Sequence, residues 1–193
     1  NIRGGGEFGP AWHQAGLKTQ RQVIYDDFIA VSEDLIQRKI TSPRHLGIRG
    51  GSNGGLLMGV MLTQRPELFR GVIVQVPLLD MLRYHKLLAG ASWVDEYGSP
   101  DVPEERAWLE KLSPYQNLRK RDDFPVPFIV TSTKDDRVHP GHARKYGAKL
   151  ESLQMPFYYY ENIDGGHSAA ANLREAAKRQ ALEFTYLRQQ LMD

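Results

Sequence analysis

The chain has 193 residues, 41% hydrophobic and 25% charged, with a net charge of +2; this supports one sizeable core and argues for neither a nucleic-acid-binding surface nor a taste for acidic ligands. Cysteine is absent, which excludes disulfides and thiolate metal sites and leaves the redox compartment open. No apolar run approaches the roughly 18 residues of a membrane-spanning helix, no leader pattern opens the chain, and the basic cluster Arg119-Lys120-Arg121, followed by Asp122-Asp123, reads as a solvated loop.

Residues 3 to 16 are rich in glycine and aromatics and suggest an ordered loop. Gly4-Gly5-Gly6-Glu7-Phe8-Gly9 satisfies the G-x-G-x-x-G spacing of a dinucleotide site. That fingerprint also needs a helix directly afterwards and an acid ending a second strand. Here Pro10 follows at once, and Asp26 and Asp27 stand at the start of a helix. Dinucleotide binding is therefore set aside. From Asp26 to Lys39, Phe28, Val31, Leu35 and Ile36 follow the helical period, with Asp26 or Asp27 as N-cap. Ser42-Pro43 breaks the chain, Leu46 to Arg49 reads as a strand, and a helix over 53–64 ends before Pro66. The β-branched run Val72 to Val76, bounded by Gly71 and Pro77, predicts a buried strand. Residues 78–124 are less regular, with one helix near Glu104 to Leu112. Phe128 to Thr131 gives a third strand and Phe157 to Tyr160 a fourth. A helix over Pro140 to Leu153 separates them, its proline near the first turn where the missing N–H does no harm. The last helix runs from about Ala169 to Leu191. Strands alternating with helices predict an α/β class, with a parallel sheet covered on both faces.

Chemistry in such a sheet collects beyond the carboxyl ends of the strands. Gly50-Gly51-Ser52-Asn53-Gly54 fits the G-x-S-x-G nucleophile elbow, a sharp strand-to-helix turn that projects a serine hydroxyl. The glycines allow unfavourable φ and close approach of strand to helix. After the third strand come Asp135 and Asp136, and after the fourth comes His167. Serine, carboxylate and histidine thus end three strands in the chain order of α/β-hydrolases. His167 would take the proton of Ser52, and a carboxylate would fix the tautomer of the imidazole; composition leaves Asp135 and Asp136 both open for that role. His139 and His142, three apart, find no third metal ligand, so no metal is expected, and His13, His45 and His85 read as structural or solvated.

Gly50-Gly51-Ser52-Asn53-Gly54-Gly55, Asp135-Asp136-Arg137-Val138 and Gly165-Gly166-His167 resemble the catalytic domain of the prolyl oligopeptidase family, as do Ile2-Arg3-Gly4-Gly5-Gly6-Glu7, Gln64-Arg65-Pro66 and Asp95-Glu96-Tyr97-Gly98. The resemblance implies an α/β-hydrolase fold. It also implies a serine peptidase that cleaves short peptides after proline, without a cofactor. It favours Asp135 as the third member beside Ser52 and His167, and makes the Asn53 N–H an oxyanion donor. Arg137 is similar to an arginine that holds a substrate carbonyl, and Trp93 to an indole that stacks on the proline ring; Tyr97, Val138 and Leu78 would line the same pocket. The family's β-propeller, first hydrolase strands and tyrosine oxyanion donor have no counterpart here. The expectation is thus the C-terminal part of a catalytic domain with an open sheet edge suited to self-association, cytoplasmic or, as the alternative, periplasmic. Other enzymatic readings are an acylaminoacyl-peptidase or esterase of the same fold; a different class is a silent piece that only associates with other chains.

Overall fold

The computed structural model describes residues 1–192. Four strands, β1 (Gly47–Gly51), β2 (Gly71–Gln75), β3 (Phe128–Ser132) and β4 (Tyr158–Asn162), form one parallel sheet in the order β1-β2-β3-β4. Ile48 lies opposite Val72, Ile73 opposite Phe128, and Ile129 opposite Tyr159. Helices α1 (Pro10–Gln14) and α2 (Gln22–Gln37) precede the sheet, and α3 (Asn53–Gln64) joins β1 to β2. Three helices, α4 (Val94–Tyr97), α5 (Pro103–Leu112) and α6 (Pro114–Asn117), lie between β2 and β3. Helix α7 (Gly141–Ser152) joins β3 to β4, and α8 (Leu173–Leu191) follows β4.

Right-handed crossovers between strands added in one direction put their helices on one face. The packing agrees: Ile48, Val72, Val74 and Ile129 share a core with Leu56 and Val60 of α3, Leu112 of α5, and Tyr146 and Leu150 of α7. The alternate residues Ile73, Phe128 and Val130 point the other way, against Tyr186 and Leu187 of α8. Burial on both faces is why β2 and β3 read as unbroken apolar runs instead of alternating ones. Tyr186 also ties α8 to the sheet through its hydroxyl, which accepts from the Val72 N–H at 2.8 Å and donates to the Val126 carbonyl at 2.7 Å.

Two helix starts differ from the sequence reading. Helix α2 begins a turn earlier, at Gln22, because Ile24 and Tyr25 extend its buried stripe. Asp27 caps nothing and instead receives the Arg3 guanidinium, with Nε at 2.9 Å. Helix α8 begins at Leu173, where the Asn172 side chain accepts from the Glu175 N–H at 3.0 Å. Ala169 lies outside it, in a tight turn at φ 56°.

His142 on α7 is 2% exposed, and its Nδ1 accepts the backbone N–H groups of Leu79 (3.2 Å) and Asp80 (3.0 Å). Burial first, then the positive charges of His139 and Lys145 against the opposing pull of Asp80, brings its pKa down to about 4. The folded value lies below the ordinary 6.5, so the stabilisation is complete above pH 6.5 and is lost as pH falls toward 4. The loss expected is roughly 3 kcal/mol. Urea unfolding at pH 7 and pH 4.5 should show it, and His142→Gln, which can still accept from the two amides, should flatten the slope. Equal slopes in both proteins would refute the assignment.

Candidate active site

β1 delivers the chain to Ser52 at φ 58°, ψ −116°, a conformation that an L-residue holds only under strain. The Ser52 N–H donates to the Gln75 carbonyl at 3.0 Å, so the end of β2 braces the turn, and α3 starts at the next residue. A Cβ on Gly50 would collide with the Gly54 carbonyl, and one on Gly55 would stand 2.7 Å from the Gln75 carbonyl and from Pro77. Gly54, the last glycine of the motif, has open space around it. The steric need for glycine therefore falls on Gly50 and Gly55, where helix and strand ends nearly touch.

Asp135 and His167 come from the loops after β3 and β4. The Asp135 side chain is fully buried; Oδ1 accepts the N–H groups of Arg137 and Val138, each at 2.9 Å. His167 Nδ1 lies 2.8 Å from its Oδ2 and 3.0 Å from its Oδ1. Asp136, by contrast, is exposed. Buried Asn162, at the end of β4, accepts from the N–H groups of Asp164 (2.9 Å) and Gly165 (2.7 Å), and the Ser132 hydroxyl donates to the Gly165 carbonyl. These bonds fix the turn that carries His167.

Ser52 and His167 line one cavity of about 250 Å³, together with Arg49, Gln75, Val76, Ala169 and Arg179. Seven non-glycine residues among those described have positive φ, and three of them, Ser52, Val76 and Ala169, line this cavity. Strain of this kind persists only where surrounding structure enforces it, and it concentrates at functional sites. A larger cavity of about 610 Å³, bordered by Pro43, Pro66, Phe124 and Gln189, lies at the amino ends of the strands. A parallel sheet does not put its chemistry there.

The other expected site residues are distributed differently. Asn53 opens α3, and its side-chain Oδ1 accepts from the Tyr97 hydroxyl at 2.9 Å. Tyr97 is buried against Tyr84 in an edge-to-face pair, and burial pushes its phenol pKa up. Trp93 is half-buried, Leu78 and Val138 are core residues, and Arg137 is exposed. None of Trp93, Tyr97, Leu78, Val138 and Arg137 borders the cavity that holds Ser52 and His167.

Sequence reasoning passed over a second layer of charge. Glu183 of α8 is 3% exposed and receives Arg49 at 2.8 Å, Arg179 at 2.7 Å and the Gln75 side-chain amide. It thereby joins α8 to β1 and β2 directly beside the elbow. Arg21, buried at the start of α2, reaches Asn53 and Glu96. Among the described residues, no group of three or more His, Asp or Glu side chains is placed to hold a metal ion, and no helix is long and apolar enough to cross a membrane.

Residues 1–193 match the sequence profile of the prolyl oligopeptidase family throughout. The uncharacterized peptidase y4nA of Sinorhizobium fredii is 63% identical over 193 residues, which is all of this chain and 27% of that protein. The prolyl endopeptidase of Dictyostelium discoideum is 42% identical over 179 residues, 90% of this chain and 24% of that protein. A post-proline cleaving enzyme from Rickettsia typhi superposes with a TM-score of 0.96 at 46% identity, covering 99% of this chain and 28% of that structure. The chain thus spans about a quarter of the length of these relatives. With its parallel sheet and strand-end site, the architecture is that of the α/β-hydrolase catalytic domain, and the chain belongs to the prolyl oligopeptidase family.

Proposed function

We propose that this chain carries the catalytic residues of a serine peptidase that cleaves short peptides after proline through an acyl-enzyme. One observation carries the reading: a histidine bonded at 2.8 Å to a fully buried carboxylate opens onto the same cavity as a strained serine at an elbow. In this mechanism His167 Nε2 takes the proton of Ser52 Oγ as the oxygen attacks the carbonyl that follows proline's Cα. Asp135 accepts the hydrogen bond from Nδ1–H and stabilises the imidazolium. The Asn53 N–H, at the positive end of α3, meets the charge that develops on the carbonyl oxygen. His167 then gives its proton to the leaving amine, and water repeats the sequence on the acyl-enzyme.

Proline preference follows from a flat indole, Trp93, receiving a flat pyrrolidine without demanding hydrogen bonds. Tyr97, Leu78 and Val138 belong to the apolar cluster on which Trp93 packs, and exposed Arg137 would hold a substrate carbonyl. The Rickettsia typhi relative is a post-proline cleaving enzyme, which agrees with this choice of substrate. The test is labelling by a fluorophosphonate with peptide mapping, followed by turnover of matched proline and alanine substrates. Label at Ser52 that disappears in His167→Ala is expected. So is a preference for proline that falls about 10-fold in Trp93→Ala, the value of a lost aromatic stacking contact. Label at another residue, or indifference to proline in the wild type, would refute the reading.

A further inference from the structure

We infer that Arg21 is a positioning residue for acyl transfer, locking Asn53, the residue after the nucleophile, to the helix that bears the pocket tyrosine. The inference rests on the serine-peptidase reading above. Arg21 is 2% exposed although it stands between two glutamines in a polar stretch. Its Nη2 donates to Asn53 Oδ1 at 2.7 Å, its Nη1 to Glu96 Oε1 at 2.7 Å, and its Nε to the Tyr25 hydroxyl at 3.3 Å. The guanidinium carbon sits 4.5 Å from the centre of the Tyr97 ring, and the Tyr97 hydroxyl donates at 2.9 Å to the same Asn53 oxygen. One planar fork thus touches α2, α3 and α4 at once.

An arginine serving only to pin α2 against α4 would be satisfied by Glu96, Tyr25 and the Tyr97 ring. The remaining bond goes instead to the side chain of an exposed residue, Asn53, which contributes nothing to the core. What Asn53 contributes is the N–H of the first peptide after Ser52. That peptide follows a residue held at φ 58°, ψ −116°; the helix holds its carbonyl side, where Ser52 accepts from the Leu56 N–H at 3.1 Å, and a restraint on the Asn53 side chain holds the other. Two donors from separate segments converging on Asn53 Oδ1 supply that restraint. The same fork also connects pocket to oxyanion donor, because Tyr97 and Glu96 belong to the helix after Trp93. Lysine offers a single point of donors in place of the fork and cannot meet Asn53 and Glu96 in the same geometry.

The experiment measures kcat per titrated Ser52 in the intact protein for Arg21→Met, Arg21→Lys, Asn53→Ala and the Arg21→Met/Asn53→Ala pair, with fluorophosphonate as titrant. Arg21→Met and Asn53→Ala should each lower kcat per titrated site by about 10- to 100-fold with KM little changed, since a displacement near 1 Å at a reacting centre costs on that order. The double variant should be no slower than the slower single, because both remove one restraint. Arg21→Lys should fall between wild type and Arg21→Met. Asn53→Ala alters an exposed side chain, so it reads the restraint even where Arg21→Met folds poorly. Fewer titratable sites with normal turnover per site, or losses that multiply in the double variant, would overturn the inference while the serine-peptidase reading stands. A wild type that fails to titrate at Ser52 would overturn both.

Discussion

Ser52→Ala is expected to lower kcat toward proline peptides by about 10⁶-fold, the scale on which a serine nucleophile is worth more than its remaining neighbours. The variant keeps the Ser52 N–H bond to the Gln75 carbonyl and the glycine contacts at Gly50 and Gly55, because it removes only Oγ. Folding should therefore be unaltered, and thermal melting followed by circular dichroism would show so. What remains is water attack helped by the Asn53 N–H and by substrate positioning. An alanine variant within tenfold of the wild type would exclude Ser52 as nucleophile, since no water-based route at this site gives that rate.

Asp135→Asn should cost about 10⁴-fold in kcat, with melting little changed. The hydrogen bonds dictate why. Oδ1 of Asp135 is already held as an acceptor by the N–H groups of Arg137 and Val138. The amide of an asparagine must keep its oxygen there, so its NH₂ turns toward His167 Nδ1, in the place of the present Oδ2 at 2.8 Å. A donor facing Nδ1 forces the proton onto Nε2, and that tautomer cannot accept from Ser52. Asp136→Asn, one residue on and exposed, should leave kcat unchanged. Steady-state kinetics on the pair decide between the two aspartates that composition alone leaves open; a large loss at Asp136 with a small one at Asp135 would reverse the assignment.

The parts of this protein written in local pattern were legible. β-branched runs between glycine and proline mark the strands, and a serine among glycines before an apolar helix marks the elbow, because each depends on neighbours a few residues away. What escaped depends on distance. Arg21 and Glu183 sit in stretches that look like solvated helix. Each has one partner four positions away, Tyr25 and Arg179, but the others, Asn53 and Glu96 for Arg21 and Gln75 and Arg49 for Glu183, lie 32 to 134 positions away in the chain. No periodicity encodes that. The early start of α2 escaped for a related reason: Asp26 and Asp27 are good capping residues, but Asp27 is claimed by Arg3. The motif also located its glycines imperfectly, since Gly54 is sterically free and Gly55, outside the five-residue pattern, is the one pressed against β2.

The attachment of α8 has a consequence for how the molecule is made. A ribosome releases β1, Ser52 and β2 long before Glu183 and Tyr186, and at ordinary synthesis rates the interval is on the order of ten seconds. Until α8 emerges, Ile73, and then Phe128 and Val130 as they are made, lack the helix that covers them, and Arg49 lacks its buried carboxylate. The nascent chain therefore holds a half-covered sheet whose apolar side faces solvent or a chaperone, and the nucleophile turn gains the Glu183 brace only when that part of α8 emerges.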